Sequence, residues 1–300
     1  MSTSRRELLK AIPAAVVGAS AAMAGTAGAA PVAARSFGPR LKLGLAAYSL
    51  RDHLTAKLQP AMTLDDFVER AAAWNVDAVE LTSYYFPDEI TPGYVSGLKR
   101  HCHLLGIDVS TTPIRNVFTH PAGPARDKEI AHVKRWIGIA ADLGSPAIRI
   151  FAGDVQPGQS EAQARKNSVE SIEACADDAA RRGVYLALEN HGGILAEPDA
   201  ILEIVRAVRS DWCGINLDSG NFHGADPYVD LARCAPYAVT AQVKVEIQPK
   251  GAPKQEADLA RIVGLLKAAG YRGYATLEYE AAEPPLTAVP RYLEKLRALL

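Results

Sequence analysis

Tyr185-Leu186-Ala187-Leu188-Glu189-Asn190-His191, then Glu197-Pro198 opening an apolar-periodic run over 200–208, then Cys213-Gly214-Ile215-Asn216-Leu217-Asp218: this stretch decides how the chain folds. Its outer segments are short apolar runs that end in an acid. The middle segment carries apolar residues at three- and four-residue spacing, with proline in its first turn, which is a helix. Strand, helix, strand in that order calls for a parallel pair with the helix lying across one face of the sheet.

The same alternation continues outward in both directions. Strand-like runs at 41–49, 78–84, 107–111, 147–152, 185–190, 213–218, 240–247 and 274–279 are separated by helical patterns. Thr63 with Asp66 three residues on is an N-cap signal. Gly144 and Gly270 stand where the patterns over 128–143 and 258–269 stop, and 291–300 reads as a closing helix. Eight strand–helix units in ~260 residues is the count and length of a (β/α)8 TIM barrel, an α/β fold. An open doubly wound sheet is disfavoured, because Gly44-Leu45-Ala46-Ala47-Tyr48 is not a Gly-x-Gly-x-x-Gly phosphate loop and no Gly-x-x-x-x-Gly-Lys occurs. With no composition break or long linker, residues 35–300 are expected to form a single domain.

The chain has 300 residues, 48% hydrophobic and 22% charged, which excludes a disordered acidic tail and a disulfide-dense mini-domain. Its 33 basic and 34 acidic residues leave no electrostatic footprint for nucleic acid. Residues 1–34 differ from the rest. Ser4-Arg5-Arg6-Glu7-Leu8-Leu9-Lys10 precedes an uncharged Ala/Gly/Val run over 11–30, with small residues at Ala27-Gly28-Ala29. These are the parts of an export signal, and the paired arginines resemble the twin-arginine (Tat) motif. The expected localisation is periplasmic or secreted, reached through the Tat machinery, with no stable membrane anchor once the signal is cleaved. Removing residues 1–34 takes away Arg5, Arg6, Lys10 and Glu7 and leaves thirty basic against thirty-three acidic residues. Cys102, Cys175, Cys213 and Cys234 each sit inside an apolar periodic segment, so buried free thiols are expected rather than disulfides.

In a barrel, chemistry gathers at the carboxyl ends of the strands. Strand five ends at Glu189, strand six at Asp218, strand seven carries Gln242-Val243-Lys244, and strand eight ends Leu277-Glu278-Tyr279-Glu280. An acid buried alone after an apolar run costs several kcal/mol, so acids converging on one mouth need protons, cationic side chains or a metal. Glu189, Asp218, Gln242 and Glu278 form an all-oxygen donor set. Such a set suits Mn2+ first and Mg2+ second, ahead of Zn2+.

Leu188-Glu189-Asn190-His191, Leu217-Asp218-Ser219-Gly220-Asn221, Val243-Lys244 and Leu277-Glu278-Tyr279-Glu280 together resemble the xylose-isomerase-like TIM-barrel superfamily, the sugar phosphate isomerases/epimerases of the D-tagatose 3-epimerase type. Weaker matches at Tyr48-Ser49-Leu50, Val79-Glu80-Leu81, Ile114-Arg115-Asn116 and Ile148-Arg149-Ile150-Phe151 extend the likeness over most of the chain. The resemblance implies metal ligands at Glu189, Asp218, the strand-seven residue and Glu278, with Glu189 and Glu278 also serving as the acid/base pair. It implies proton abstraction beside a sugar carbonyl: isomerisation, epimerisation, or elimination on a 3-keto-glycoside. The chain departs from the family where Gln242 stands in place of histidine. That departure leaves open a second reading, a non-catalytic carbohydrate-binding barrel.

Further substrate-binding candidates are His191, which shares the face of Glu189, and Lys244, which shares the face of Gln242 and is equally able to neutralise carboxylates. His223, Glu80 and Arg115 complete the set. The acidic, glycine-free loop Glu280-Ala281-Ala282-Glu283-Pro284-Pro285 is unsuited to phosphate. The expected partner is therefore a non-phosphorylated sugar or glycoside and not a nucleic acid, and self-association into a homo-oligomer is left open.

Overall fold

Apolar strand runs and amphipathic helices close into a ring in the computed structural model, which describes residues 38–300. The expected export segment lies outside the described residues. Seven strands follow in order: β1 (Arg40–Ala46), β2 (Ala78–Glu80), β3 (Asp108–Thr111), β4 (Ala147–Ile150), β5 (Tyr185–Glu189), β6 (Cys213–Asp218) and β7 (Ala238–Val243). A small antiparallel hairpin, β8 (Glu246–Ile247) with β9 (Gln255–Glu256), precedes the eighth barrel strand, β10 (Arg272–Leu277). All ladders in the barrel are parallel, in the spatial order β3-β2-β1-β10-β7-β6-β5-β4. The remaining seam is closed by the chain just past β3, where Thr112 and Ile114 donate to the Ala147 and Arg149 carbonyls at 3.0 Å. This is the (β/α)8 barrel of the α/β class expected from the alternation.

The helices form the outer layer: α1 (Arg51–Leu54), α2 (Leu64–Ala73), α3 (Pro92–Leu104), α4 (Pro124–Leu143), α5 (Glu161–Arg182), α6 (Pro198–Ala207), α7 (Pro227–Cys234), α8 (Leu259–Ala268) and α9 (Pro285–Arg297). Thr63 and Asp66 make a reciprocal capping box at α2, and Pro198 opens α6 as its pattern predicts. Gly144 stops α4 in the left-handed region at φ 84°. The last helix corrects its expected bounds. It starts at Pro285, not 291, and runs through Pro290. Buried Ala288, Val289, Leu293 and Leu296 lie at helical spacing, and their packing outweighs the one backbone bond that Pro290 removes.

Strand alternation turns Leu43, Leu45, Val79, Ile148, Ile150, Leu186, Leu188, Ile215 and Leu217 toward the helices, where they form the core. It turns Gly44, Glu80, Arg149, Glu189, Asn216, Asp218, Gln242, Thr276 and Glu278 toward the barrel axis. Gly44 is needed where β1 meets β10, since a Cβ there would lie 2.6 Å from Thr276 Oγ1. Register then pairs Glu189 with Asn216, and Asp218 and Thr276 with Gln242. The mouth end of the barrel is thus a polar layer fixed by backbone register.

Candidate active site at the barrel mouth

A polar layer inside a barrel must find most of its hydrogen bonds within itself, and this one is arranged in two tiers. The lower tier is sealed. Gln242 bridges it: its carbonyl oxygen accepts from Asn216 Nδ2 at 2.6 Å, and its amide donates to Glu80 Oε1 at 2.7 Å. Thr240 Oγ1 donates to Asn216 Oδ1 at 2.7 Å. Burial, followed by the charge of Glu278, pushes the Glu80 carboxyl well above the usual range, so it holds its proton tightly. Asp218 is fully buried. Its Oδ1 accepts from the Gly220 amide at 2.7 Å, while Oδ2 has no hydrogen-bond partner among the described residues and lies 3.3 Å from the Lys244 ammonium.

The upper tier opens into a cavity of about 440 Å³ lined by Glu189, Glu278, Lys244, His191 and Arg115. Tyr48, Tyr84 and Phe151 supply its aromatic wall. Glu189 is held on both oxygens. Arg149 Nε lies 2.8 Å from Oε2, with Asn216 Nδ2 at 3.4 Å, and Asn221 Nδ2 donates to Oε1 at 3.0 Å. Burial raises its pKa, and the buried Arg149 opposes that rise. Arg149 is fixed in turn by the Ile114 carbonyl at 2.9 Å and by the Phe151 ring, whose centroid is 3.9 Å from the guanidinium carbon.

Lys244 is the hub. Its Nζ lies 2.7 Å from both Glu278 Oε2 and Glu280 Oε2, as well as near Asp218. Burial alone would lower its pKa, but the three carboxylates overcome that and raise it well above the usual lysine value. Its effect on the acids it touches is uneven. Against the opposing pull of burial, Lys244 holds Glu280 below the usual glutamate range, whereas burial, with Glu189 and Glu278 nearby, leaves Asp218 well above the ordinary aspartate range despite the same lysine.

The sequence-predicted residues therefore divide. Glu189, Glu278, Lys244, His191 and Arg115 meet in the cavity, where the His191 ring lies 4.5 Å from the Phe151 ring and Arg115 covers Tyr84 at 5.2 Å. Glu80, Asp218 and Gln242 are buried and do not line it. His223 lines a neighbouring groove, its Nδ1 3.0 Å from the Gln248 carbonyl. Arg149, Asn216, Asn221 and Glu280 were not among the candidates, yet each bonds one of them. Arg149 carried a legible signal, since an arginine amid Ala147-Ile148-Arg149-Ile150 on a buried parallel strand requires an acidic partner.

Among the described residues, no three His, Cys, Asp or Glu side chains are gathered as a metal cage. Donor chemistry nonetheless fits a hard divalent cation. Three carboxylates stand at or next to the ends of barrel strands, and Asp218 Oδ2 is a buried oxygen that no hydrogen bond among the described residues satisfies. The Lys244 ammonium is the cation beside Asp218 and Glu278 here, so a metal ion would compete with it for both.

A family model described as xylose isomerase-like TIM barrel matches residues 68–299. No curated protein sequence matches the chain. Among solved structures, D-psicose 3-epimerase with D-tagatose from Clostridium cellulolyticum H10 superposes with a TM-score of 0.69 at 16% identity, over 87% of this chain and 99% of that one. The 3-keto-D-glucoside 4-epimerase from E. coli gives 0.68 at 15%, over 86% and 100%. An IolI protein with a bound zinc atom gives 0.68 at 19%, over 86% and 96%. Identities this low establish the shared fold.

Proposed function

The chain belongs to the xylose isomerase-like TIM barrel family, and from that premise we propose that it is a sugar isomerase or epimerase acting by proton transfer beside the carbonyl of a non-phosphorylated sugar or keto-glycoside. One observation carries the reading: two carboxylates, Glu189 and Glu278, line one cavity in unequal states. Glu189 has both oxygens occupied by Arg149, Asn216 and Asn221. Glu278 is held through Oε2 by Lys244, and among the described residues nothing bonds its other oxygen. A base needs a lone pair directed at the substrate, so Glu278 is assigned as the proton acceptor. Glu189, pinned and paired with arginine, orients a hydroxyl or returns the proton on the other side. The Lys244 ammonium lies beside Glu278 and places positive charge where an enolate oxygen would develop.

Glu189, Asp218, Gln242 and Glu278 are the residues that would hold a divalent ion, manganese ahead of magnesium. When bound, such an ion would polarise the substrate carbonyl as a Lewis acid. The named neighbours support sugar chemistry, since two of them are a D-psicose 3-epimerase and a 3-keto-D-glucoside 4-epimerase. They also support metal binding, since the IolI protein holds a zinc atom.

The test is incubation with ketohexoses and 3-keto-D-glucosides in deuterated water. Wild-type protein is expected to place solvent deuterium at one carbon next to the carbonyl. Glu278→Gln should slow that exchange by ~10²–10⁴-fold, the usual contribution of a positioned base, while sugar binding persists. A variant that exchanges at the wild-type rate removes Glu278 from the mechanism.

A further inference from the structure

Beside the catalytic cavity lies a second hollow of about 270 Å³, reached across a sill made by Asn221, Lys244 and Glu280, which line both. Its outer wall is the β8–β9 hairpin that follows β7 on the mouth side. The groove is built, not incidental. Lys250 N donates to the Gly224 carbonyl at 2.9 Å, and the His223 ring meets the Gln248 carbonyl, so the loop after β6 is bonded to the loop after β8. Gly220 keeps the sill low: a Cβ there would lie 2.6 Å from Lys244 Cγ and 3.2 Å from the Glu246 carbonyl.

Charge and polarity define what fits. Lys244 is already shared by three carboxylates, and Lys254 lies 3.5 Å from Glu246 Oε2, so neither cation is in surplus for a phosphate or carboxylate. Val245 and Ile247 are 1% exposed, so they offer no open apolar face to an aromatic or lipid group. What remains are the hydrogen-bonding side chains of Asn221, His223, Gln248 and Lys254, with the lysine-paired Glu246 and Glu280 carboxylates as further acceptors, which match the hydroxyls of a neutral polyol. Taken together, the two compartments fall toward the upper half of the ~300–1,000 Å³ usual for a ligand site.

We propose that the hairpin groove binds the second unit of a glycoside, a neutral sugar ring, so that the substrate class is a disaccharide-like glycoside and not a free monosaccharide. This rests on the proton-transfer reading only for which ring reacts; occupancy of the groove is a separate property. The test is calorimetric titration of two ligands with the same oxidised ring, a methyl 3-keto-D-glucoside and its glucosyl counterpart. Deuterium exchange is followed on both.

Wild-type protein should bind the glucosyl ligand at least tenfold more tightly. Lys254→Ala and Gln248→Trp should each bring the ratio of the two affinities toward one. Equal affinities in wild type, or a ratio that neither substitution moves, overturns the groove assignment even if exchange is robust. Failure of both ligands to bind overturns it as well. Preference for the glucosyl ligand with no exchange on either supports the groove and overturns the proton-transfer reading alone.

Discussion

Gln242 shows how one residue can serve two roles that a measurement separates. In the fold it is a bridge, accepting from Asn216 and donating to Glu80, both buried. In the proposed reaction it is a neutral oxygen ligand. Gln242→Leu keeps volume but strips both bonds, leaving two buried polar groups at ~1–3 kcal/mol each. Chemical denaturation in the presence of a chelator should therefore show a loss of several kcal/mol. If the loss appears only with added Mn2+, Gln242 acts through the metal and not as a bridge. The acids of this layer were legible because each ends an apolar strand run. Asn216 and Asn221 were not, since an asparagine in Ile-Asn-Leu or Gly-Asn-Phe carries no charge that demands a partner. Strand register brings Asn216 to Glu189, and the loop after β6 brings Asn221.

At the scale of elements, local signals held where a single residue fixes the geometry. They failed where tertiary packing chooses the boundary. The Thr63/Asp66 pair was readable because capping is a contact within four residues, and the structure forms it in both directions. Thr63→Ala should lower stability by ~1 kcal/mol, seen as a fall in melting temperature. Thr63's backbone and hydroxyl donors hold the Asp66 carboxyl below its ordinary value. A depressed acid stabilises the fold above its unfolded pKa and loses that contribution as pH falls through the folded one. The stability gap between wild type and Asp66→Asn should therefore close on acidification below the usual aspartate range. By contrast, the run over 240–247 read as one strand, whereas β7 starts at Ala238, ends at Val243, and the chain then turns into the hairpin. Apolar periodicity does not register that turn, because Val245 and Ile247 are as buried as the strand before them. The groove was invisible in the sequence for the same reason.

At the scale of the whole molecule, the free thiols connect the fold to the route we propose for its export. Cys102, Cys175, Cys213 and Cys234 are all unpaired and buried, as their apolar settings predict. Burial pushes the Cys102 thiol up to about 11 and the other three up to about 12. A thiol reacts as thiolate, so the native protein should be inert to a thiol-specific disulfide reagent at pH 8 and should release four equivalents on unfolding. Raised thiol pKa values stabilise the fold below the unfolded value, and that contribution drains away as pH climbs toward 11–12. Denaturation midpoints should accordingly fall across that alkaline window. An unfolded chain with four thiols would cross-link in an oxidising compartment, whereas a folded one keeps them covered. A twin-arginine route, which carries folded protein, suits such a chain. Arg5→Lys with Arg6→Lys should hold the protein in the cytoplasmic fraction with all four thiols reduced. Undiminished export of that double variant would overturn the twin-arginine assignment and leave the barrel's chemistry untouched.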